Sequence, residues 1–273
     1  VRNEHDGVKC YTHFGTGNYN PQTAKLYTDL SLFTCGKGLS RDLIELFNYL
    51  TGSSLKQEYG KLLVAPVNMR QKFLALIRNE IANKQAGKPA RIIAKMNSLE
   101  DAVIIQALYE ASRKGVSIDL IVRGFCTLKP GIPGISENIR VISVIGRFLE
   151  HSRIFFFAAA KKDLEDGDFF IGSGDWMTRN LLHRVEVIVP VEDKVAKARL
   201  WEILSIMLND QRQAWDLQPD GRYVQRTPSK KTGDPNARGT HRTLMALTKG
   251  IPLADEPSDK KSSDKKKKKK KKK

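Results

Sequence analysis

Long apolar runs are missing from this chain. No stretch approaches the roughly 18 residues that a bilayer-spanning helix needs, and no signal peptide is visible. Cysteine is scarce: Cys10, Cys35 and Cys126 form no CxxC pair and no metal-ligand spacing. A disulfide scaffold and a cysteine zinc site are therefore not expected, and a reducing compartment is. The expected location is cytoplasmic, compatible with peripheral membrane association. An initiator Met is also lacking. The chain opens on VRNEHDGVKCY, which reads as the middle of a longer protein.

Charge is abundant. The 273 residues carry a formal +17, of which seven lies in Gly250–Lys273 and ten in the remainder. The folded part is basic by itself, so an anionic partner is expected: phosphate, nucleic acid or an acidic surface. The last nine residues are all Lys. A tail over 248–273 is read as disordered, with nonspecific polyanion binding as its candidate role.

Patterning predicts strands at Val8–Phe14 and Thr28–Phe33 and a helix over Arg41–Leu50 capped by Ser40. A strand at Lys61–Val67 and a helix from Asn68 to Lys84 follow. Further strands are predicted at Arg91–Lys95, Ser117–Val122, Asn138–Val144, Arg153–Ala158, Asp168–Gly172 and Arg184–Pro190. Helices are predicted from a Ser98/Asp101 capping box to Lys114, and over Asp193–Gln211. This alternation predicts an α/β fold with a mixed or parallel sheet. Ligands of such sheets bind beyond the strands' carboxyl ends, and the loop Gly124–Ser136 is placed to line a site there.

One local pattern occurs twice. FGTGNY at 14–19 and IGSGDW at 171–176 share the order apolar, Gly, small hydroxyl, Gly, Asn/Asp, aromatic, 157 residues apart. Small-residue turns after a strand offer backbone N–H groups to an anion, so Gly15, Thr16, Gly17, Asn18, Gly172 and Ser173 are candidate phosphate contacts. Asn18 and Asp175 are read as orienting the turns, and Tyr19 and Trp176 as packing. Before the second copy stands Glu150-His151-Ser152-Arg153, and Gly172 returns 21 residues after His151. A His two residues from a cation, with a Gly-Ser corner delivered by a hairpin, suits phosphoryl transfer. The His serves as nucleophile or proton donor, and Arg153 and the corner stabilise developing charge. The plain alternative is a His that satisfies a local hydrogen bond. The same spacing applied to Gly15 puts a partner His upstream of Val1. Neither His13 nor His5 fits that place.

The two copies resemble the phospholipase D superfamily, whose halves each supply HxK and a Gly-Ser turn. More specifically, YTHFGTGNYNPQTAKLYTDLSLFT (11–34), KMNSLEDAVIIQALYEASRKGVSIDLIVRGFCTLKPGIPGISENIRVISVIGRFLEHSRI (95–154) and IGSGDWMTRNLLHRVEVIVPV (171–191) resemble the C-terminal half of the bacterial polyphosphate kinase family. The resemblance implies two phospholipase-D-like mixed-sheet domains, the first incomplete at 1–56, the second at 57–247. It implies reversible transfer of the terminal phosphate of ATP to polyphosphate through a phosphohistidine, with Mg²⁺. ATP/ADP and inorganic polyphosphate are the implied partners, and a homo-oligomer is implied at full length. His151 is implied as the second active-site His, contacting ATP or assisting proton transfer, with Tyr27 and Arg123 as nucleotide contacts. The phosphorylated His and the Arg residues associated with Mg²⁺ are expected upstream, so these residues alone are expected to be inactive. Read from the residues, Arg123 ends a strand and its fork suits phosphate, or it is simply exposed; Tyr27 stacks on a base, donates to phosphate, or edges the core. Lys129, Arg147, Arg179 and Arg184 flank the motifs and are candidate guides for a polyanion. A phospholipase-D-type phosphodiesterase or nuclease, and a non-catalytic polyanion-binding module, are the competing readings.

Overall fold

The computed structural model describes residues 1–55, 57–228 and 235–251, so nearly all of the lysine-rich tail, and with it the reading of that tail, lies outside the described residues. In chain order the N-terminal elements are β1 (Arg2–Glu4), β2 (Gly7–Lys9), β3 (Thr12–Gly15), β4 (Tyr27–Thr28), β5 (Ser31–Thr34) and α1 (Lys37–Leu50). Then come β6 (Leu63–Ala65), α2 (Met69–Gln85), β7 (Arg91–Met96), α3 (Ala102–Arg113), β8 (Ser117–Val122) and β9 (Ile139–Val144). β10 (Leu149–Glu150), β11 (Arg153–Phe157), β12 (Asp168–Gly172), α4 (Thr178–Leu182) and β13 (Glu186–Val191) follow. The chain continues through α5 (Lys194–Asn209), β14 (Ala214–Leu217), β15 (Tyr223–Gln225) and α6 (Thr240–Thr248).

A nine-stranded sheet runs in the order β15-β14-β9-β8-β7-β11-β12-β13-β6. β7, β8 and β9 pair in parallel and the remaining pairs are antiparallel, so the fold is mixed α/β. The central strands are buried along nearly their whole length, as strands covered on both faces must be. Alternation divides their side chains between two cores. Ile92, Ala94, Phe155 and Phe157 face α2 and α3; Ile93, Ile154 and Phe156 face α1 and α5. Each large apolar side chain so buried contributes about 1.5–3 kcal/mol. α5 joins its core through Leu200, Ile203, Leu204, Met207 and Leu208, a helical stripe.

The structure corrects several local expectations. The strand predicted from Val8 breaks at Cys10–Tyr11 into β2 and β3, and the strand predicted from Thr28 breaks into β4 and β5. Ser40 does not cap α1, which starts at Lys37; its hydroxyl donates to the Cys10 carbonyl at 3.1 Å instead. Asn68 stands at the N-cap position of α2, but its side chain serves β6, accepting from the Val64 amide at 2.7 Å. The Ser98/Asp101 box is absent: Asp101 itself caps α3, accepting from the Ile104 amide at 3.0 Å. Strand β14, which pairs with β9 and with the edge strand β15, was not read from the sequence. It carries Asp216 and Trp215 half-buried, without the clean alternation that marks a strand.

Candidate functional site

The two repeated turns meet. β12 forms a hairpin with β11 in which Arg153 faces Gly172. β3 pairs with β5, with Gly15 opposite Ser31. β10 then lies parallel to β4, setting Leu149 beside Tyr27 and Glu150 beside Thr28. That short pairing brings His151 of one half to the corner of the other, and its amide donates to the Thr28 carbonyl at 3.2 Å.

Each corner is built the same way. Thr16 Oγ1 donates to Asp29 Oδ1 at 2.9 Å, and the Thr16 amide to the Leu30 carbonyl at 2.9 Å. Ser173 Oγ donates to Glu186 Oε2 at 2.5 Å, and the Ser173 amide to the Val187 carbonyl at 3.0 Å. In both, the carboxylate stands 13 residues after the hydroxyl and the accepting carbonyl 14. The expectation that these amides point at an anion is corrected for Thr16 and Ser173, whose N–H groups tie the corner to the next strand. Gly172 is needed there, because a Cβ would lie 2.0 Å from the Val187 carbonyl oxygen and 2.8 Å from Ile188 Cα.

His151 Nδ1 lies 2.9 Å from Asp29 Oδ1. A carboxylate only accepts, so in the neutral ring the proton sits on Nδ1 and Nε2 keeps its lone pair. Nε2 is 3.0 Å from Arg153 Nη1, which also donates to the His151 and Thr16 carbonyls. The other edge of the Arg153 guanidinium grips Asp175, with Nε to Oδ1 at 3.0 Å and Nη2 to Oδ2 at 3.3 Å. Arg153 is 6% exposed. It is thus a clamp between the corners that lays positive charge beside Nε2, not a free arm reaching for phosphate.

A cleft of about 490 Å³ opens over this arrangement, lined by Thr16, Gly17, Asn18, His151, Arg153 and Ser173, with Asp175 and Glu186. Arg179 and Arg184 also line it. Lys129, Arg147 and the loop Gly124–Ser136 do not, which corrects the expectation for that loop; its strand-like bridges run to Leu99 instead. Tyr27 lies with its ring centroid 4.4 Å from that of His151, on the imidazole itself. Arg123 reaches the wall through a bond from Nη2 to Asn97 Oδ1. Burial pushes its guanidinium below the usual arginine range, opposed first by Tyr27. Gly15 and Gly172 are the strand ends beneath the turns. Trp176 is fully buried against Phe73 and Phe155, as read; Tyr19 is not packing but 72% exposed, its hydroxyl on His13 Nε2.

A larger cleft of about 620 Å³ at the β6 edge holds none of the candidate residues. Its lysines are already engaged: Lys72 with the Tyr59 and Leu62 carbonyls, Lys61 with Glu192, Lys197 with the Gly167 carbonyl. Among the described residues, no group of three His, Cys, Asp or Glu gathers as metal ligands. Likewise, no described helix is long and apolar enough to cross a membrane.

Sequence reasoning missed Asp29 and Glu186. Their equal distance from the two hydroxyls was the available signal, had the repeat been followed past its sixth residue.

Comparison with known proteins finds relatives of one family. The family model described as polyphosphate kinase C-terminal domain 2 matches residues 62–237, and that for C-terminal domain 1 matches residues 1–56. A polyphosphate kinase of Thermosynechococcus vestitus is 56% identical over 248 residues, covering 91% of this chain and 33% of the relative. One from Synechocystis sp. is 58% identical over 229 residues, covering 84% and 31%. The crystal structure of polyphosphate kinase from Porphyromonas gingivalis superposes with a TM-score of 0.80 at 36% identity, covering 89% of this chain and 37% of that one. The chain thus spans about a third of the length of the relatives it matches.

Proposed function

The chain belongs to the polyphosphate kinase family, and on that footing we propose that its two corners form one side of a site that moves the terminal phosphate of ATP to and from polyphosphate. The observation that carries this reading is the convergence of both glycine corners on His151, with Nδ1 held by Asp29 and Nε2 beside Arg153, where both residues line the cleft. Glu186 repeats the position of Asp29 at the other corner but receives Asn180 Nδ2 at 2.7 Å, not a histidine. In this reading a second His, supplied from outside the 273 residues, takes the corresponding bond and is the phosphorylated one. The division at residue 56 belongs to the same reading, residues 1–56 being part of a first domain and 57–247 a second.

The residues in hand have definite tasks. Asp29 fixes the His151 tautomer, so that Nε2 faces the terminal phosphate and accepts or returns a proton there. Arg153 stabilises charge that spreads over the phosphate oxygens. Arg179, Arg184 and Arg123 draw in the polyanion. The partner His attacks the terminal phosphorus: an N–P bond forms, the P–O bond to ADP breaks, and its electron pair leaves with ADP. The chain-end oxygen of polyphosphate then takes the phosphoryl group as the N–P bond breaks. The described residues do not make a site for Mg²⁺.

The test joins these residues to the remaining length of the family's proteins. Acid-labile label from ATP is expected to appear in the joined protein. His151→Ala should lower polyphosphate synthesis by about 10²-fold or more. Synthesis unchanged by that substitution would overturn the reading.

A further inference from the structure

Behind His151 lies a buried polar network that the proposed chemistry does not use. Glu150 and Ser152, the residues on either side of His151, both enter it. Lys95, 2% exposed, donates from Nζ to the Ser152 carbonyl and hydroxyl, each at 2.8 Å, and lies 3.1 Å from Glu150 Oε2. Glu150 Oε1 is 2.8 Å from Nε2 of His241 on α6, and both residues are 3% exposed. Gln213 Oε1 lies 2.9 Å from the His241 amide, and Gln213 Nε2 lies 3.1 Å from His241 Nδ1.

The proton positions follow from these contacts. A backbone N–H only donates, so Gln213 Oε1 is the acceptor and its Nε2 the donor. His241 Nδ1 must therefore accept, and Nε2 carries the proton that goes to Glu150. The backbone is left bare to admit this arrangement. A Cβ on Gly146 would lie 1.8 Å from Gln213 Nε2 and 2.5 Å from His241 Nδ1. The network ties α6, which lies some 90 residues further along the chain, to both chain neighbours of His151.

We propose that His241 is a positioning residue for His151: through Glu150 and Lys95, the docking of α6 sets where the His151 ring meets Asp29 and the anion. This rests on the reading of His151 given above. It adds α6 to the elements on which the site depends, although no residue of α6 lines the cleft over the corners.

The test uses the 273-residue chain, with the nitrogen resonances of the His151 ring and the affinity for tripolyphosphate as readouts. His241→Gln keeps an N–H donor near the position of Nε2, whereas His241→Phe removes it. His241→Phe is expected to shift the His151 ring resonances and weaken tripolyphosphate binding by about three- to tenfold. The exposed His183 ring should not move, and His241→Gln should stay within about twofold of the parent. A folded His241→Phe chain with unchanged His151 resonances overturns the proposal. So does a His241→Gln chain as impaired as His241→Phe, because shape alone would then be at work. If His241→Phe does not fold, Gln213→Leu removes the donor that fixes the tautomer, and unchanged His151 resonances in that variant overturn the proposal equally. Failure of the parent chain to bind tripolyphosphate would count against the kinase reading, while the ring resonances would still decide the role of His241.

Discussion

The first corner and the second share a frame and differ in what the frame holds. In both, a small hydroxyl donates to a carboxylate 13 residues on, and its amide ties down the following strand. At the first corner the carboxylate, Asp29, has a histidine on it; at the second, Glu186 has Asn180. The glycines differ as well. Beside Gly172 stands the backbone of β13, whereas beside Gly15 stand the ends of two side chains, Tyr19 and His13. A duplicated turn therefore preserves a way of presenting a carboxylate, and the partner of that carboxylate distinguishes the halves.

The largest expected effect breaks the comparison at the carboxylates. In a protein extended to the family's full length, Asp29→Asn and Glu186→Gln should each lower phosphoryl transfer by about 10²- to 10³-fold with little change in KM for ATP. A silent Glu186→Gln beside a crippled Asp29→Asn would show that only one corner serves a histidine. The glycines come next. Gly172→Ala forces a methyl group onto backbone and should cost about 1–3 kcal/mol in denaturant unfolding. Gly15→Ala meets the ends of side chains and not backbone, so it should cost less than half as much; equal costs would mean that the first corner is as tightly built as the second.

Acid sharpens the contrast between the site's wall and the rest of the fold. Burial pushes Glu150 up, but Lys95 and His241 outweigh it and bring the carboxyl down to about 2. Its folded value lies below its unfolded one. Its contribution is therefore present above the ordinary carboxylate range, near 4.5, and is lost as pH falls from there through about 2. Glu80 shifts the other way. Burial raises it, against the amides of Ala159 and Arg91 that bond it, so its protonation favours the folded state as acid is added. Acid titration of unfolding should show a shallower low-pH drop in a Glu150→Gln chain than in a Glu80→Gln chain. The smallest effect belongs to the hydroxyls. Thr16→Val and Ser173→Ala each remove one hydrogen bond to a carboxylate and should cost about 1 kcal/mol, read as a shift of the denaturation midpoint.

Much of this was legible in the residues. The hairpin spacing from His151 to Gly172 appears in the fold as Arg153 opposite Gly172, because strand pairing converts sequence distance directly into proximity. The central strands were readable because burial on both faces leaves continuous apolar runs. The helix starts were less so. Ser40 is a cap-type residue that the chain uses for another bond, and at α3 the cap is Asp101 and not Ser98; local preference does not say which residue will serve. The approach of Asp29 to His151 was out of reach of any local rule, since it depends on β4 and β10 coming together across 122 residues. The contribution of α6 was equally hidden, because His241 in a polar stretch gives no sign of a carboxylate 91 residues away.

The pairing of β4 with β10 is only two residues long, yet it joins the halves beside His151. Such a seam forms late in folding and opens early, since it gains little until both sides are in place. The amide of His151, bonded to Thr28 across it, should then exchange with solvent far sooner than those of Phe155 or Ile93. A local parting at this seam would release His151 from the first corner while the large sheet behind it stayed whole.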